Sequence, residues 1–398
     1  MKSIRPCRIF GVYEAVSGMK DNVTILHTVT GCHFATLSMK LGRSMADVNQ
    51  TSTIINDKDI IVSGEGSLKK AIENTIDLYK PKSITVITGC VAEIVKDDIG
   101  AVVKEFENQI DIIYLDGAGF KTDFLEGYEY AQLEIMRKYG SVKGSSRTLN
   151  IFGILANDYK AEEDIEAFKT FFGDEICVNV MSVTGVESKK MISENSLNIC
   201  FGRGIEVCEF MKKELNIPYE IMSYPYGLLG LKELCDKVNS HFDINLEEKY
   251  TIAEEVTMGG LKKVYSYLDS FYGLPIGLVG STGKIKGMES FLQNELGMDI
   301  ELIFNTDIDQ DYEDFIKKSE VSNIALVFGS SFDHDISNRL RIPLIPYEYP
   351  VFDRVSISPI SFVGTYGVVN FVEALINGVM DGVRNRGSLY NEKDMFLW

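Results

Sequence analysis

Short β-rich runs alternate with stretches of helical period along most of this 398-residue chain, which restricts it to an α/β architecture. Val23–Val29, Ser83–Thr88 and Ile110–Leu115 read as strands. Between the first two, Leu68, Ile72, Ile76 and Tyr79 share one helical face, and Pro81 stops that helix. Glu93–Phe106 repeats the helical pattern through Ile94, Ile99, Val102 and Phe106, and another helix is predicted from about Asp123 to Lys138. Tyr139–Arg147, rich in Gly and Ser and without apolar period, reads as a linker. A second series then runs through Leu149–Leu155, Glu175–Met181, Ser196–Cys200 and Tyr219–Met222. A long helical stretch, Leu246–Phe271, leads into a third series: Leu274–Val279, Asp299–Phe304, Ser322–Phe328 and Ile342–Ile345, closed by a helix over Phe362–Val383. The expectation is α/β with three Rossmann-like, doubly wound domains built on parallel sheets, at 1–145, 146–265 and 266–398.

Three cysteines mark ends of these elements. Cys7 follows Pro6 just before the apolar run Ile9–Tyr13, Cys32 follows Gly31 after the first strand, and Cys90 follows Gly89 after the second. Cysteines at the carboxyl ends of parallel strands, with glycine allowing close approach, suit a thiolate-held metal cluster in the crevice of the sheet. Taken singly, each is as well explained as a buried structural cysteine. Their spacings of 25 and 58 residues are too wide for a zinc ribbon or a ferredoxin run. Seven cysteines, an odd number, do not read as a disulfide framework. They read as reduced thiols, and the amino terminus lacks a signal peptide's apolar core, so a cytoplasmic location is expected. The net charge of −18 argues against nucleic acid and anionic membrane surfaces as partners. No stretch of about 18 uncharged apolar residues is present to span a membrane.

The flanking motifs are more specific. Pro6-Cys7 with an aliphatic-aromatic helix behind it, Thr30-Gly31-Cys32, and Cys90-Val91-Ala92-Glu93 followed by Asp97-Asp98 resemble the three cluster-ligand segments of the nitrogenase component 1 family. Ile61–Lys69 resembles that family's glycine-containing stretch before a helix. Ser196–Cys200 with Asn216–Tyr219 is similar to its middle domain, and Pro350-Val351-Phe352-Asp353-Arg354 with Gly364–Gly367 to its third. The cysteine spacings are similar to those of its β-type subunits. The resemblance covers most of the chain and implies that Cys7, Cys32 and Cys90 ligate an iron–sulfur cluster, either 4Fe–4S or P-cluster-like. It implies an ATP-dependent, Fe-protein-like reductase as electron donor, and a dimer formed with a second copy or with a paralogous component 1 subunit. Two departures bear on the substrate. The family's additional serine ligand falls at Gly119, and the histidine that helps hold the iron–molybdenum cofactor falls at Glu348. Cys200 lies roughly where that cofactor's cysteine would be. The implied activity is reduction of an unsaturated, tetrapyrrole-type substrate rather than dinitrogen, with Cys200, Glu348 and Arg354 as catalytic candidates. A further metal or tetrapyrrole cofactor is left open. Two other roles stand beside it: a non-catalytic scaffold or maturation protein for a complex metal cofactor, and an electron-relay subunit of a heteromeric reductase.

Other residues have plainer readings. Glu93, Asp97 and Asp98 favour a helix dipole, and the resemblance adds a surface for the reductase at the two aspartates. Cys177, Cys208 and Cys235 fall on apolar positions of the core. His33 either hydrogen-bonds toward the cluster or packs. Gly277–Lys284 departs from the Walker pattern, with five residues before Gly283-Lys284 and Ile285 after it. It reads as a glycine turn whose N–H groups offer an anion contact, so ATP hydrolysis falls to a partner. Arg203 is a solvated arginine or an anion contact.

Overall fold

Three four-stranded parallel sheets carry the chain, in a computed structural model that describes residues 6–39, 49–309 and 311–385. The first holds β1 (Asn22–His27), β2 (Gln50–Ser52), β3 (Ser83–Thr88) and β4 (Asp111–Asp116) in the order β2-β1-β3-β4. After β5 (Val142–Gly144), the second sheet holds β6 (Thr148–Phe152) and β7 (Cys177–Val180). Following β8 (Ile192–Ser193), it adds β9 (Ser196–Cys200) and β10 (Tyr219–Ile221), giving the order β10-β9-β6-β7. The third sheet runs β12-β11-β13-β14, from β11 (Pro275–Gly280), β12 (Asp299–Asn305), β13 (Leu326–Gly329) and β14 (Leu344–Pro346). The α/β class with parallel sheets is as the alternation requires.

The described residues separate into two compact units, neither contiguous in sequence. One comprises 6–157 with Glu175–Ile221 and contains the first two sheets; the other comprises Asp158–Asp174 with 222–385 and contains the third. No described helix is long and apolar enough to cross a membrane.

Helices around the first sheet are α1 (Arg8–Val16), α2 (Thr30–Ser38), α3 (Asp57–Ile61), α4 (Glu65–Tyr79), α5 (Cys90–Val95), α6 (Ile99–Phe106) and α7 (Phe124–Tyr139). β1 and β3 are buried along their whole length, as expected of central strands covered on both faces. Ile25 and Val86 pack with Leu68 and Ile72 of α4 and with Val102 and Phe106 of α6. Gly11 lets α1 lie against α7, since a Cβ there would sit 1.9 Å from the Phe124 carbonyl oxygen. That contact fixes the start of α1, where Cys7 is.

Three expectations change. The helix predicted over Glu93–Phe106 is two: Lys96 adopts a left-handed φ of 63° and ends α5, and the Asp98 carboxylate accepts from Ala101 N to start α6. The linker after Tyr139 contains β5, which pairs in parallel with β8. The stretch over Leu246–Phe271 is a helix only to Leu261, followed by a 3₁₀ turn and the short helix Tyr265–Leu268.

In the second unit, Asp164 accepts hydrogen bonds from Tyr224 Oη at 2.6 Å and Phe362 N at 2.7 Å. Burial raises its carboxyl to about 7, above what those hydrogen bonds and Lys284 counteract. A carboxyl raised in the folded state lends stability that is full below its ordinary value and lost as pH climbs through about 7. Chemical denaturation of wild type and Asp164→Asn from pH 4 to 8 should therefore diverge. The aspartate form should lose about 4 kcal/mol more over that range; parallel curves would show that Asp164 titrates normally.

Candidate functional site

Each sheet has a topological switch point, where chains leave two adjacent strands in opposite directions and open a crevice at their carboxyl ends. In the strand orders above these lie between β1 and β3, between β6 and β9, and between β11 and β13. The three crevices differ in what fills them.

At the second, the helix Ile205–Leu215 begins with three N–H groups, of Gly204, Ile205 and Glu206, all donating to the buried Glu129 carboxylate. Cys200, at the end of β9, is wholly buried and donates to the Arg203 carbonyl at 3.1 Å. Its neighbours are Cys208, Met136, Met181 and Met211, the setting of a core thiol. Arg203 is also buried, its guanidinium 5.2 Å from the Phe124 ring centre, and is not a solvated arginine.

The third crevice is filled by the protein as well. Glu348, 2% exposed, accepts from both Ser281 N and Ser281 Oγ at 2.8 Å, and Asp307 takes Thr282 N at 2.7 Å. The helix Thr282–Glu289 thus has the N–H groups of Ser281 and Thr282 at its start occupied by carboxylates. Lys284 is buried in an ion pair with Asp158 at 2.6 Å and donates to Tyr347 O at 2.9 Å. This is a structural glycine turn with a structural lysine. Glu348 caps a helix inside the fold, and Arg354 is exposed in the irregular segment beyond β14.

The first crevice is different. Cys32 lies in the first turn of α2 after β1, Cys90 opens α5 after β3, and Cys7 precedes α1. Among the described residues, no carboxylate takes the first N–H groups of these three helices, as Glu129, Glu348 and Asp307 do at the other two crevices. Uncapped N–H groups and the helix field favour a thiolate placed there. The three thiols are half-buried. Burial raises the Cys7 pKa, and the nearby Cys32 and Cys90 raise it further, against hydrogen bonding from the Ile9 backbone.

Gly119, in the loop after β4, completes the floor. A Cβ there would meet Cys7 Sγ at 2.9 Å and Cys90 Sγ at 3.7 Å, and Gly119 N donates to Cys90 Sγ at 3.2 Å. A Cβ on Gly31, beside Cys32, would meet nothing within 4 Å, so that flank is open. Among the described residues no three His, Cys, Asp or Glu side chains close on a single-ion position. Thiolates that hold a multi-iron cluster bind different irons and need no such point of convergence. Three soft donors around an open flank fit an iron–sulfur cluster in donor chemistry.

The acidic residues behind Cys90 are engaged. Glu93 accepts from Thr88 Oγ1 at 2.6 Å, from Lys121 Nζ at 2.8 Å and from the Tyr114 hydroxyl. Burial pushes its carboxyl up, but these donors outweigh it and hold it below its ordinary value. The Asp97 side chain is 4% exposed. It takes Ser63 Oγ and Gly64 N, both at 3.1 Å, and lies 3.3 Å from His27 Nε2. Its shielded side chain anchors the α3–α4 turn, whereas Asp98 is exposed. His33 accepts from Gln50 Nε2 at 3.2 Å through Nδ1, a packing contact to β2. Cys208 and Cys235 are core thiols, whereas Cys177, on the edge strand β7, is exposed. The expectations missed Lys121 and Glu129, whose partners lie 28 and 75 residues away.

The family model described as nitrogenase component 1 type oxidoreductase matches residues 7–380. Among curated relatives, the nitrogenase iron-molybdenum cofactor biosynthesis protein NifE of Clostridium pasteurianum is 25% identical over 68% of this chain and 60% of its own length. The nitrogenase molybdenum-iron protein alpha chain of Methanosarcina barkeri is 26% identical over 63% and 51%. A light-independent protochlorophyllide reductase polypeptide of Prochlorococcus marinus (strain MIT 9215) is 23% identical over 60% and 50%. The chain thus spans about half to three-fifths of these relatives. A solved structure titled nitrogenase Cp1 at pH 6.5 superposes with a TM-score of 0.81 at 16% identity, covering 98% of this chain and 95% of the other. That likeness is one of fold.

Proposed function

Because the chain belongs to the nitrogenase component 1 type oxidoreductases, we propose that it holds an iron–sulfur cluster on Cys7, Cys32 and Cys90 and serves as the electron-accepting subunit of a two-component reductase. One observation carries the reading. Three thiols stand on three uncapped helix starts at one switch point, while the protein's own carboxylates fill the other two. A cluster bound there supplies one-electron transfer at a potential set by its ligands and their hydrogen bonds. The chain's own groups do the rest: the cysteines bind, Gly119 leaves room between two of them and donates one N–H, and Glu93 and Asp97 lock the segments behind them.

Partners follow from what this chain lacks and exposes. Lys284 is spent on Asp158, so nucleotide hydrolysis is assigned to a separate ATP-dependent reductase of the Fe-protein type. Phe34, Ile94 and Phe120, each within four residues of Cys32, Cys90 or Gly119, are 70, 67 and 58% exposed. Such an apolar rim suits cover by another chain, a second copy or a paralogous subunit. An unsaturated substrate of tetrapyrrole type is favoured over dinitrogen, because the loop position that needs a histidine carries the buried cap Glu348. A cytoplasmic location belongs to the same reading.

The likeness to a cofactor biosynthesis protein favours a second reading, a scaffold that carries a cluster without turnover. The test is iron and acid-labile sulfide per chain after anaerobic purification, followed by electron paramagnetic resonance (EPR) with an ATP-driven reductase added. ATP-dependent reduction of a cluster supports the redox reading. A cluster that is not reduced but passes to an acceptor protein supports the scaffold. Protein that takes up no iron, even on anaerobic reconstitution, would overturn both.

A further inference from the structure

The loop after β4 is fastened at both ends of the cysteine set. Gly117 N donates to Thr88 O at 3.1 Å, and Ala118 N to Asp116 Oδ1 at 2.9 Å. Arg8, the neighbour of Cys7, donates to Asp116 O at 2.9 Å and Thr122 Oγ1 at 2.5 Å, with its guanidinium 4.5 Å from the Tyr130 ring centre. Cys7 itself forms an isolated antiparallel bridge with Asp123. On the other side a single side chain closes the loop. Lys121 Nζ donates to Glu93 Oε2 at 2.8 Å, one turn after Cys90, and to Asp116 Oδ2 at the loop's base.

We propose that Lys121 is a positioning residue: its bridge to Glu93 and Asp116 latches residues 117–121 over the Cys7 and Cys90 sulfurs and keeps the Gly119 N–H on Cys90 Sγ. Among those described, no other side chain of the loop reaches α5, and the one further tie to that helix is Gly119 N on Cys90 Sγ. Its remaining contacts run to β3, α1 and Cys7, so without the ammonium the Gly119 end is held by one hydrogen bond to sulfur. The carboxylates of Glu93 and Asp116 are 14% and 16% exposed and Lys121 is 40% exposed, so the latch is a partly shielded pair that contributes modestly. Its consequence for the sulfur is larger than its strength suggests. A hydrogen bond donated to a ligand thiolate withdraws charge from it and raises the potential of the group it holds. That redox consequence rests on the cluster reading above; the latch does not.

The test compares wild type, Lys121→Met and Lys121→Arg in two states. In iron-free, reduced protein, iodoacetamide alkylation is followed cysteine by cysteine by mass spectrometry. Cys90 should react up to about fivefold faster in Lys121→Met, the factor set by the upper range for such a pair. Cys32, to which the loop makes no described hydrogen bond, should keep its rate, and Lys121→Arg should restore Cys90. In iron-loaded protein, an EPR redox titration should place the Lys121→Met midpoint at a more negative potential than wild type. Equal Cys90 rates in wild type and Lys121→Met would overturn the latch, as would failure of arginine to restore them. An unmoved midpoint with a faster Cys90 would overturn the sulfur hydrogen bond. Wild-type protein that binds no iron would end the cluster reading, while the alkylation rates would still decide the latch.

Discussion

Cys32→Ala is expected to leave anaerobically purified protein with less than about a tenth of the wild-type iron, and Cys200→Ala to leave the iron in place. Removing an outer hydrogen-bonding partner already costs a metal site about 10- to 100-fold in affinity, and loss of one of three thiolates costs more. The two cysteines are otherwise comparable, each at the carboxyl edge of a sheet near a switch point. They differ in what surrounds them. Cys32 is half-buried beside the open flank at Gly31, whereas Cys200 is sealed among methionines and donates its S–H to Arg203. The comparison controls for folding, because Cys200→Ala is the change that empties core volume, and thermal melts should show it as the less stable variant. Iron that survives Cys32→Ala would place any cluster elsewhere.

Lys284→Met should lower the unfolding free energy by about 3–5 kcal/mol, the usual result of removing one partner of a buried ion pair. Lys284 and Asp158 have side chains 6% and 3% exposed and lie 2.6 Å apart. The ammonium also satisfies the Tyr347 carbonyl. Adding Asp158→Asn should recover much of the loss, since the cost comes from a buried carboxylate deprived of its cation. Urea denaturation of the single and double variants measures both. A Lys284→Met protein of normal stability that has lost an anion-binding activity would show that the glycine-rich turn before it binds a ligand after all.

The strand ends and the cysteines at them were legible because glycine before cysteine, after a β-branched run, marks a turn where a side chain stays near the sheet edge. β2 was not legible: Gln50–Ser52 is polar, and its place beside β1 is set by tertiary pairing. The break between α5 and α6 hid inside a continuing apolar period, because Lys96 adopts a left-handed conformation more common for glycine or asparagine. β5 was read as linker since Gly and Ser signal a turn, while its partner β8 lies some fifty residues on. Cys177 has an apolar residue's place in the pattern but an edge strand's exposure. The charged residues were hardest. Whether Glu348, Asp97 or Lys121 meets solvent, a ligand or a helix end depends on partners 67, 33 and 28 residues away, beyond any local periodicity.

The interleaved division of the chain has a consequence for how it is made. No single cut in the gene yields either unit whole, because Asp158–Asp174 is donated to one unit from within the sequence of the other. At about 5–20 residues per second, the ribosome releases Cys90 on the order of ten seconds before residue 221, where the cysteines' unit ends. For that interval the nascent chain carries all three thiols on an unfinished unit, and a message truncated after residue 157 would leave it so permanently.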